Sequence, residues 1–488
     1  MSSARARAAG WPPGPWWIAL AAAALIGIEM GARAFATNDE ARFPLLAQDI
    51  LTRGDWLWPR LNGAGYYNKP PLLAWLIALV SWPVGQVTQW TAVLPSAGAA
   101  VATVLLIHAI GRDLFDAETG RVAALLAMTT QGLFFHAHLA TPDALMTCLI
   151  TASVWMLVQT VRERPGPWWI GFYGLAGAAF WAKGPAGLMP VAVGLAYALA
   201  TRSRRRWSLR LVPGLALVGS LVALWWILGA ISDSRAVAQA VVIDQLGWYR
   251  PHGSALVLLA APLRNLAVAL FPWVLLVPLA IPAALMAGRS GEASGRVSLP
   301  LVWLGVAVAL VALSHEQRLR YYLPAVPPMA VLLGWWLGSW FCGWLSGGVA
   351  KPDLSRGAAI QVFRALPLLW LGAMVVFAVG YHWEVTRHNA AGDYVRLAAE
   401  VKPLLSEAPA VVTWGIPELP LAFYLGRPVT RVDSEVELRA ALDRGPRAVV
   451  VASETNWARR HAVGATPTPV PEPAERSGVV LVRRGAKR

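Results

Sequence analysis

Charge is scarce in this chain. Asp, Glu, Lys and Arg make up 14% of its 488 residues, against about 25% in an ordinary soluble domain. With 57% hydrophobic residues, that deficit excludes an ordinary soluble globular protein for the chain as a whole. Cysteine is nearly absent: only Cys148 and Cys342 occur, both inside apolar runs and far apart in sequence, which excludes a disulfide framework. The chain has no P-loop, no dinucleotide fingerprint, no internal repeat and no nucleophilic-triad pattern. Acidic residues are outnumbered, 27 against 42 basic ones, for a net charge of +15. Such a balance would suit nucleic acid. Here, however, the basic residues sit mostly in loops and tails, so membrane topology and anionic lipid account for them and no nucleic-acid partner is expected.

What the chain has in quantity is apolar runs. A hydrocarbon core needs about 20 apolar residues per helical span, and such runs recur up to about residue 382. Arg5 and Arg7 precede the first one, which reads as an uncleaved signal anchor. Basic connectors at 162–164, 202–206, 289–296 and 351–364 are expected on the cytoplasmic side. Crossings are then expected near 16–36, 91–111, 121–138, 144–161, 168–182, 185–201, 209–231, 262–287, 298–314, 322–345 and 361–382. The apolar segment 72–87 is short and contains Pro83, so it reads as a helix lying at the outer surface. The fold class expected is an α-helical polytopic membrane protein of about 11–13 transmembrane helices. Five polar loops then share the non-cytoplasmic face: 37–71, 139–143, 183–184, 232–261 and 315–321.

Residues 383–488 change character. Short β-rich segments at 409–414, 429–432, 447–452 and 478–483 alternate with helical patterns at 391–405 and 434–443, as in a small α/β domain. A Pro-rich loop occupies 464–476. The expected division is a transmembrane domain over 1–382, with an outer-face loop at 37–90, and an exported α/β domain over 383–488.

The candidate chemistry gathers in the outer loops. Asp39 and Glu40 follow the first span; a carboxylate there suits a general base or an acceptor guide, while Thr37, Asn38 and Asp39 also suit a helix N-cap. Asp143 in ATPDAL begins a span on the same face, as a second acid or as a helix start. Arg42, Tyr66 and Lys69 offer a pocket for a phosphate leaving group, whose growing charge fixed cations stabilise. Lys183 in WAKGP and Arg318 and Arg320 in RLRYYLP add cations at outer span ends; each alone also reads as a snorkelling side chain. Arg250 and His252 in GWYRPHG are further candidates for substrate binding. His136 and His138 have a spacing that invites a metal, but i and i+2 point to different faces of a helix.

The series D-E-x-R (39–42), G-D-W-x-x-P-x-x-N-G (54–63), Y-x-x-K-P-P (66–71), T-P-D (141–143), K-G-P (183–185) and Y-x-L-P (321–324) resembles the aminoarabinose transferase (ArnT) type of GT-C glycosyltransferase. More distantly it is similar to the protein O-mannosyltransferases. The resemblance spans about residues 35–330. It implies an inverting enzyme of the bacterial inner membrane, taking a sugar from a polyprenyl-phosphate donor on the periplasmic side. Lipid A or another envelope glycolipid is the implied acceptor, with protein the alternative. By motif, Asp39 and Asp143 are similar to the family's essential acids, and Arg42, Lys69 and Tyr321, with Tyr66 alongside, to the groups that hold the donor phosphate. Two positions depart from the pattern: Phe43 stands where Tyr is usual, and Asn68 where Glu is. The second bears on any divalent-metal or amino-group contact that the Glu would make, and hence on the aminoarabinose itself. A transporter would instead show ionisable residues deep in the bilayer and repeated broken helices.

Overall fold

The computed structural model describes residues 14–162, 166–201, 210–240, 255–289, 294–314, 317–346, 356–406, 410–444, 448–453 and 479–483. Arg5, Arg7, the 202–206 basic run, Arg250, His252 and the Pro-rich loop 464–476 lie outside the described residues. The chain forms two compact units. One comprises Met1–Ile28, Tyr67–Leu73 and Pro95–Val379; the other comprises Glu29–Tyr66, Ala74–Leu94 and Gly380–Arg488.

The first unit is helical. Its elements include α1 (Trp16–Gly27), α5 (Ala117–Met128), α6 (Gln131–Ala137), α7 (Pro142–Val161), α8 (Trp168–Lys183), α9 (Met189–Thr201), α10 (Leu211–Gln239), α11 (Ala255–Ala269), α12 (Val277–Arg289), α13 (Ser294–Ala312) and α14 (Val326–Ser346), together with most of α4 (Gln89–Leu114). Four described helices are long and apolar enough to cross a membrane: Gln89–Leu114, Pro142–Val161, Leu211–Gln239 and Gly295–Ala312. Small residues let helices of this unit approach closely. A Cβ added to Gly111 of α4 would lie 2.8 Å from Gly120 Cα of α5, and one on Gly334 of α14 would lie 2.9 Å from Ala123 N.

Two expected crossings are broken. The run 262–287 is a helix pair, Ala260–Ala269 and Trp273–Arg289, bent by 113°. The run 121–138 divides into α5 and α6 at Thr129–Thr130. Gln131 N there donates to Phe271 O at 2.8 Å, and Trp273 Nε1 donates to Thr129 O at 3.2 Å. Each break therefore satisfies polar groups freed by the other, which is the condition for tolerating broken helices in an apolar environment.

The second unit joins the first polar loop to the C-terminal part. The loop folds into α2 (Asn38–Arg53), a β1 (Arg60–Leu61)/β2 (Ala64–Gly65) hairpin and α3 (Leu72–Ser81). Asn62 and Gly63 have φ 52° and 90°, the positive values of a type I′ N-G turn. At 10 residues, α3 rises about 15 Å, half a hydrocarbon core. Helix α15 (Arg356–Ala391) belongs to the first unit up to Val379 and, from Gly380, leads in the second to α16 (Tyr394–Val401), β3 (Ala410–Trp414), α17 (Glu418–Leu425), β4 (Thr430–Val432), α18 (Glu435–Arg444), β5 (Ala448–Ser453) and β6 (Val479–Arg483). The sheet order is β4-β3-β5-β6, parallel at β3/β4 and β3/β5 and antiparallel at β5/β6. Val411, Val449 and Val451 pack with Tyr394, Ala398 and Leu421 in one core; Val412, Trp414 and Val450 pack with Leu438 in another. Alternate residues of each strand thus feed opposite faces, as the two-residue period requires. Helix α17 was not expected from the sequence.

Candidate active site

Within the helical unit, the T-P-D, K-G-P and Y-x-L-P motifs converge. Pro142 starts α7 at a position where its missing N–H costs nothing, and Asp143 follows in the first turn. The Asp143 carboxylate is 1% exposed and is ion-paired with Lys183 at the end of α8. Gly184 makes that placement possible. Its φ of 88° and ψ of −150° fall in a region essentially reserved for glycine, and the chain turns back there through the 3-10 turn Pro185–Leu188. Gly187 then seats directly on the backbone of Ala179 and Phe180, where a side chain would not fit.

Lys183 Nζ lies 4.5 Å from the ring centre of Tyr321, and Arg320 Cζ lies 5.5 Å from it on the same side chain. Such cation–aromatic contacts stabilise charge that is partly removed from water. Tyr321 falls in the 3-10 turn Leu319–Ala325, between α13 and α14. Burial pushes its phenol above the ordinary tyrosine range, although Arg320, by charge and hydrogen bond, and Arg318 pull it back. Tyr321 is therefore a neutral hydrogen-bond donor at physiological pH. Arg320 and His136 both lie within electrostatic range of Asp143. Lys69 belongs to the same unit, half-buried, with Nζ donating to Asn68 Oδ1 at 3.2 Å. The residue that departs from the family pattern thus holds the lysine amine. Arg318, exposed, precedes the Tyr321 turn and accepts Tyr321 N through its carbonyl at 3.0 Å.

In the second unit, Thr37 caps α2 and Glu40 completes a capping box, which satisfies two otherwise orphaned donors. Glu40 is buried, ion-paired with Arg33, and accepts from Ala36 N and Thr37 N at 3.1 Å each. Its carboxylate holds the turn together. Asp39 projects from the same turn with about a quarter of its side chain exposed and pairs with Arg42 at 2.9 Å. The cap therefore falls to Thr37 and Glu40, which leaves the Asp39 carboxylate outside the capping box. Tyr66 is half-buried, and its backbone N donates to Pro59 O at 3.3 Å.

Several motif positions serve the loop's own architecture. Asp55 Oδ1 accepts Trp58 N at 3.0 Å, and Asp49 Oδ2 accepts Arg60 N at 2.7 Å. Asn62 makes a reciprocal pair with the backbone of Val429, at 2.6 and 2.8 Å. The Asn38 side chain spans Glu418 and Leu419 N, at 2.9 and 3.1 Å. Sequence reading missed both asparagines as binding elements, because Asn38 already suits an N-cap and Asn62 stood only as one position of a motif. No three His, Cys, Asp or Glu side chains gather as a metal site among the described residues. His136 and His138 turn their Nδ1 atoms to separate helix carbonyls, Gly132 O at 2.8 Å and Phe134 O at 2.9 Å.

Residues 68–229 match the family model described as dolichyl-phosphate-mannose-protein mannosyltransferase. Among curated relatives, the undecaprenyl phosphate-alpha-4-amino-4-deoxy-L-arabinose arabinosyl transferase of Edwardsiella ictaluri is 27% identical over 374 residues, 73% of this chain and 63% of that protein. The one from Pseudomonas aeruginosa is 29% identical over 318 residues, 61% of this chain and 54% of that protein. The matches thus span 54% to 63% of those relatives' length. The crystal structure of ArnT from Cupriavidus metallidurans bound to undecaprenyl phosphate superposes with a TM-score of 0.74 at 17% identity, covering 97% of this chain and 99% of that one. The oligosaccharyltransferase AglB from Archaeoglobus fulgidus, in complex with an inhibitory peptide and a dolichol-phosphate, gives a TM-score of 0.56 at 13% identity, covering 90% and 69%. The resemblance read from the motifs is borne out. The fold is that of the GT-C membrane glycosyltransferases, an integral membrane architecture with an α/β C-terminal part.

Proposed function

We propose that this protein is an inverting glycosyltransferase that moves a sugar from a polyprenyl-phosphate donor to a lipid acceptor, lipid A or another envelope glycolipid. We place it in the bacterial inner membrane with its active site toward the periplasm, and assign the α/β part, residues 383–488, to that side as well. The observation that carries this reading is the buried Asp143–Lys183 pair beside Tyr321 and Arg320, in a fold that matches ArnT over 97% of the chain.

The chemistry follows from charge. The acceptor oxygen attacks the anomeric carbon from the face opposite the phosphate, and the bond from that carbon to the phosphate oxygen breaks. The departing polyprenyl phosphate gains negative charge, which cations held in a dry site stabilise more than water does. Lys69, Arg42 and Lys183 take that role, Tyr321 adds a neutral hydrogen-bond donor, and Arg318 is an exposed cation for the incoming anion. Asp143, paired with Lys183, orients the sugar. Asp39 takes the proton of a hydroxyl acceptor; with a phosphate acceptor, already anionic at pH 7, it stabilises the oxocarbenium-like centre. Tyr66 supports the phosphate group. Arg250 and His252 retain their expected binding role as part of the same proposal.

A protein acceptor is the second reading. It is favoured by the match to a family described as protein mannosyltransferases over residues 68–229. Mass spectrometry of outer-leaflet lipids and periplasmic proteins, from cells carrying the wild-type chain or Asp39→Ala, separates the two. A sugar mass lost from a lipid in the variant supports the first reading, and loss from a protein the second. No change in either, with the variant expressed at wild-type level, removes Asp39 from catalysis.

A further inference from the structure

The acidic turn that carries Asp39 is held by the C-terminal α/β fold of its own unit. Asn38, the residue before Asp39, reaches the first turn of α17 with both halves of its amide. Nδ2 donates to Glu418 Oε2 at 2.9 Å, and Oδ1 accepts Leu419 N at 3.1 Å. A side-chain amide used at both ends has one orientation and one distance that satisfy it. Arg431 of β4 approaches the same Glu418 Oε2 to 3.8 Å and is itself paired with Asp433 at 2.8 Å.

Other contacts brace the same segment. Phe35 N donates to Tyr424 Oη at 2.8 Å, and Gln89 Nε2 donates to the same oxygen at 2.8 Å. Ala34 N donates to Asn389 Oδ1 at 2.9 Å, and Asn389 Nδ2 donates to Ala32 O at 2.9 Å. Phe35 meets Phe423 edge to face with ring centres 5.0 Å apart. Backbone hydrogen bonds from residues 34 and 35, followed by a side chain at 38, fix the path of the chain immediately before the catalytic turn. A carboxylate must be held within about 0.5 Å of its productive place, and misplacement by about 1 Å is costly to rate.

We propose that the C-terminal α/β domain is a positioning device for Asp39, with Asn38 and Glu418 as its central positioning pair. The inference rests on the catalytic role of Asp39 given above. It assigns the domain a part in turnover that does not require it to touch donor or acceptor. Asn38 sets the position of the turn, so its loss lowers kcat and leaves the donor KM in place.

The pair can be rebuilt with its donor and acceptor exchanged. Asn38→Asp keeps the acceptor for Leu419 N but sets a carboxylate against Glu418. Adding Glu418→Gln supplies an amide donor in place of that carboxylate and restores both bonds. Full-length protein is purified in detergent, and turnover is followed with a polyprenyl-phosphate sugar and lipid acceptor. Asn38→Ala and Asn38→Asp are expected to lower kcat about 10- to 100-fold with donor KM within about twofold. The double variant Asn38→Asp/Glu418→Gln should recover kcat to within a few-fold of wild type. Circular dichroism and thermal unfolding check that each variant folds, and the double variant serves as the functional test if a single one does not. A double variant as slow as Asn38→Asp overturns the proposal, as does a loss confined to donor KM. Asp39→Ala separates this from the parent reading: if it turns over normally, the catalytic role of Asp39 fails; if it is inactive while Asn38→Ala is normal, only the positioning role fails.

Discussion

Replacing Lys183 with Met leaves the Asp143 carboxylate in place without its ion-pair partner. That carboxylate is 1% exposed and the lysine 10% exposed, so the pair is removed from water and is not screened as a surface pair would be. Breaking a buried pair from one side costs about 3–5 kcal/mol. Arg320 remains within electrostatic range of Asp143, which puts the expected loss at the lower end, about 3 kcal/mol. Asp143→Asn strands a lysine whose long stem can carry its amine toward water, and should cost about 1–2 kcal/mol. Removing both charges together returns most of the loss, since a buried pair replaced by neutral groups is often close to neutral in stability. The cycle therefore predicts a coupling of about 3–4 kcal/mol between the two positions. Equilibrium unfolding of the detergent-purified proteins measures it, and all three variants should have lost turnover. Effects that add to within about 0.5 kcal/mol would refute a buried, mutually dependent pair.

Three other perturbations follow. Tyr321→Phe deletes the neutral hydroxyl proposed to donate to the donor phosphate; with such bonds contributing about 1.5–3 kcal/mol, steady-state kinetics should show kcat/KM for the donor falling about 10- to 100-fold, with stability nearly unchanged. Gly184→Ala forces a side chain onto φ 88° and ψ −150°; a cost of about 1–3 kcal/mol is expected, read as a lower unfolding midpoint, with turnover falling as Lys183 shifts. His388 gives a pH dependence. Its Nδ1 accepts from Arg33 at 2.9 Å while Nε2–H donates to Ala34 O at 3.0 Å, and burial, followed by the charge of Arg33, lowers its pKa, with Glu40 and Glu384 opposing. The folded state therefore favours the neutral ring: the contribution is complete above the unfolded value of about 6.5 and is lost as pH falls below it. The unfolding midpoint should drop between pH 7 and 5, and His388→Gln should flatten that slope.

The sequence made some parts of this structure legible and hid others for physical reasons. The four strands of the C-terminal sheet could be placed within a residue or two, because buried valine runs such as Ala448–Ser453 have no competing helical reading. Helix α17 was hidden by Pro417 and Pro420, which read as loop residues; Pro417 is the N-cap and Pro420 falls in the first turn, where proline's missing N–H is harmless. The apolar run 121–138 reads as one span because its break comes from outside it. Phe271 O and Trp273 supply the partners at Thr129–Gln131, and no local pattern announces a tertiary hydrogen bond. The site shows the same division. Asp143, Lys183 and Tyr321 were legible as separate charged or aromatic residues at span ends, and the structure brings the three together. Glu40 was legible only as an acid beside Asp39; its burial and its bond to Arg33 depend on the fold. Asn38 was explained too early by capping propensity, and Asn62 was read only as a position of the G-D-W-x-x-P-x-x-N-G series.

The most direct test of the central claim is the fate of the lipid carrier. Purified protein in liposomes would be given a polyprenyl-phosphate sugar and a lipid acceptor, and free polyprenyl phosphate and glycosylated acceptor would be quantified together by mass spectrometry. The account predicts one polyprenyl phosphate released for each sugar transferred, with both signals lost in Asp39→Ala and in Lys69→Ala. Donor that crosses the bilayer intact, with no carrier released and no sugar transferred, would contradict it and identify a transporter instead.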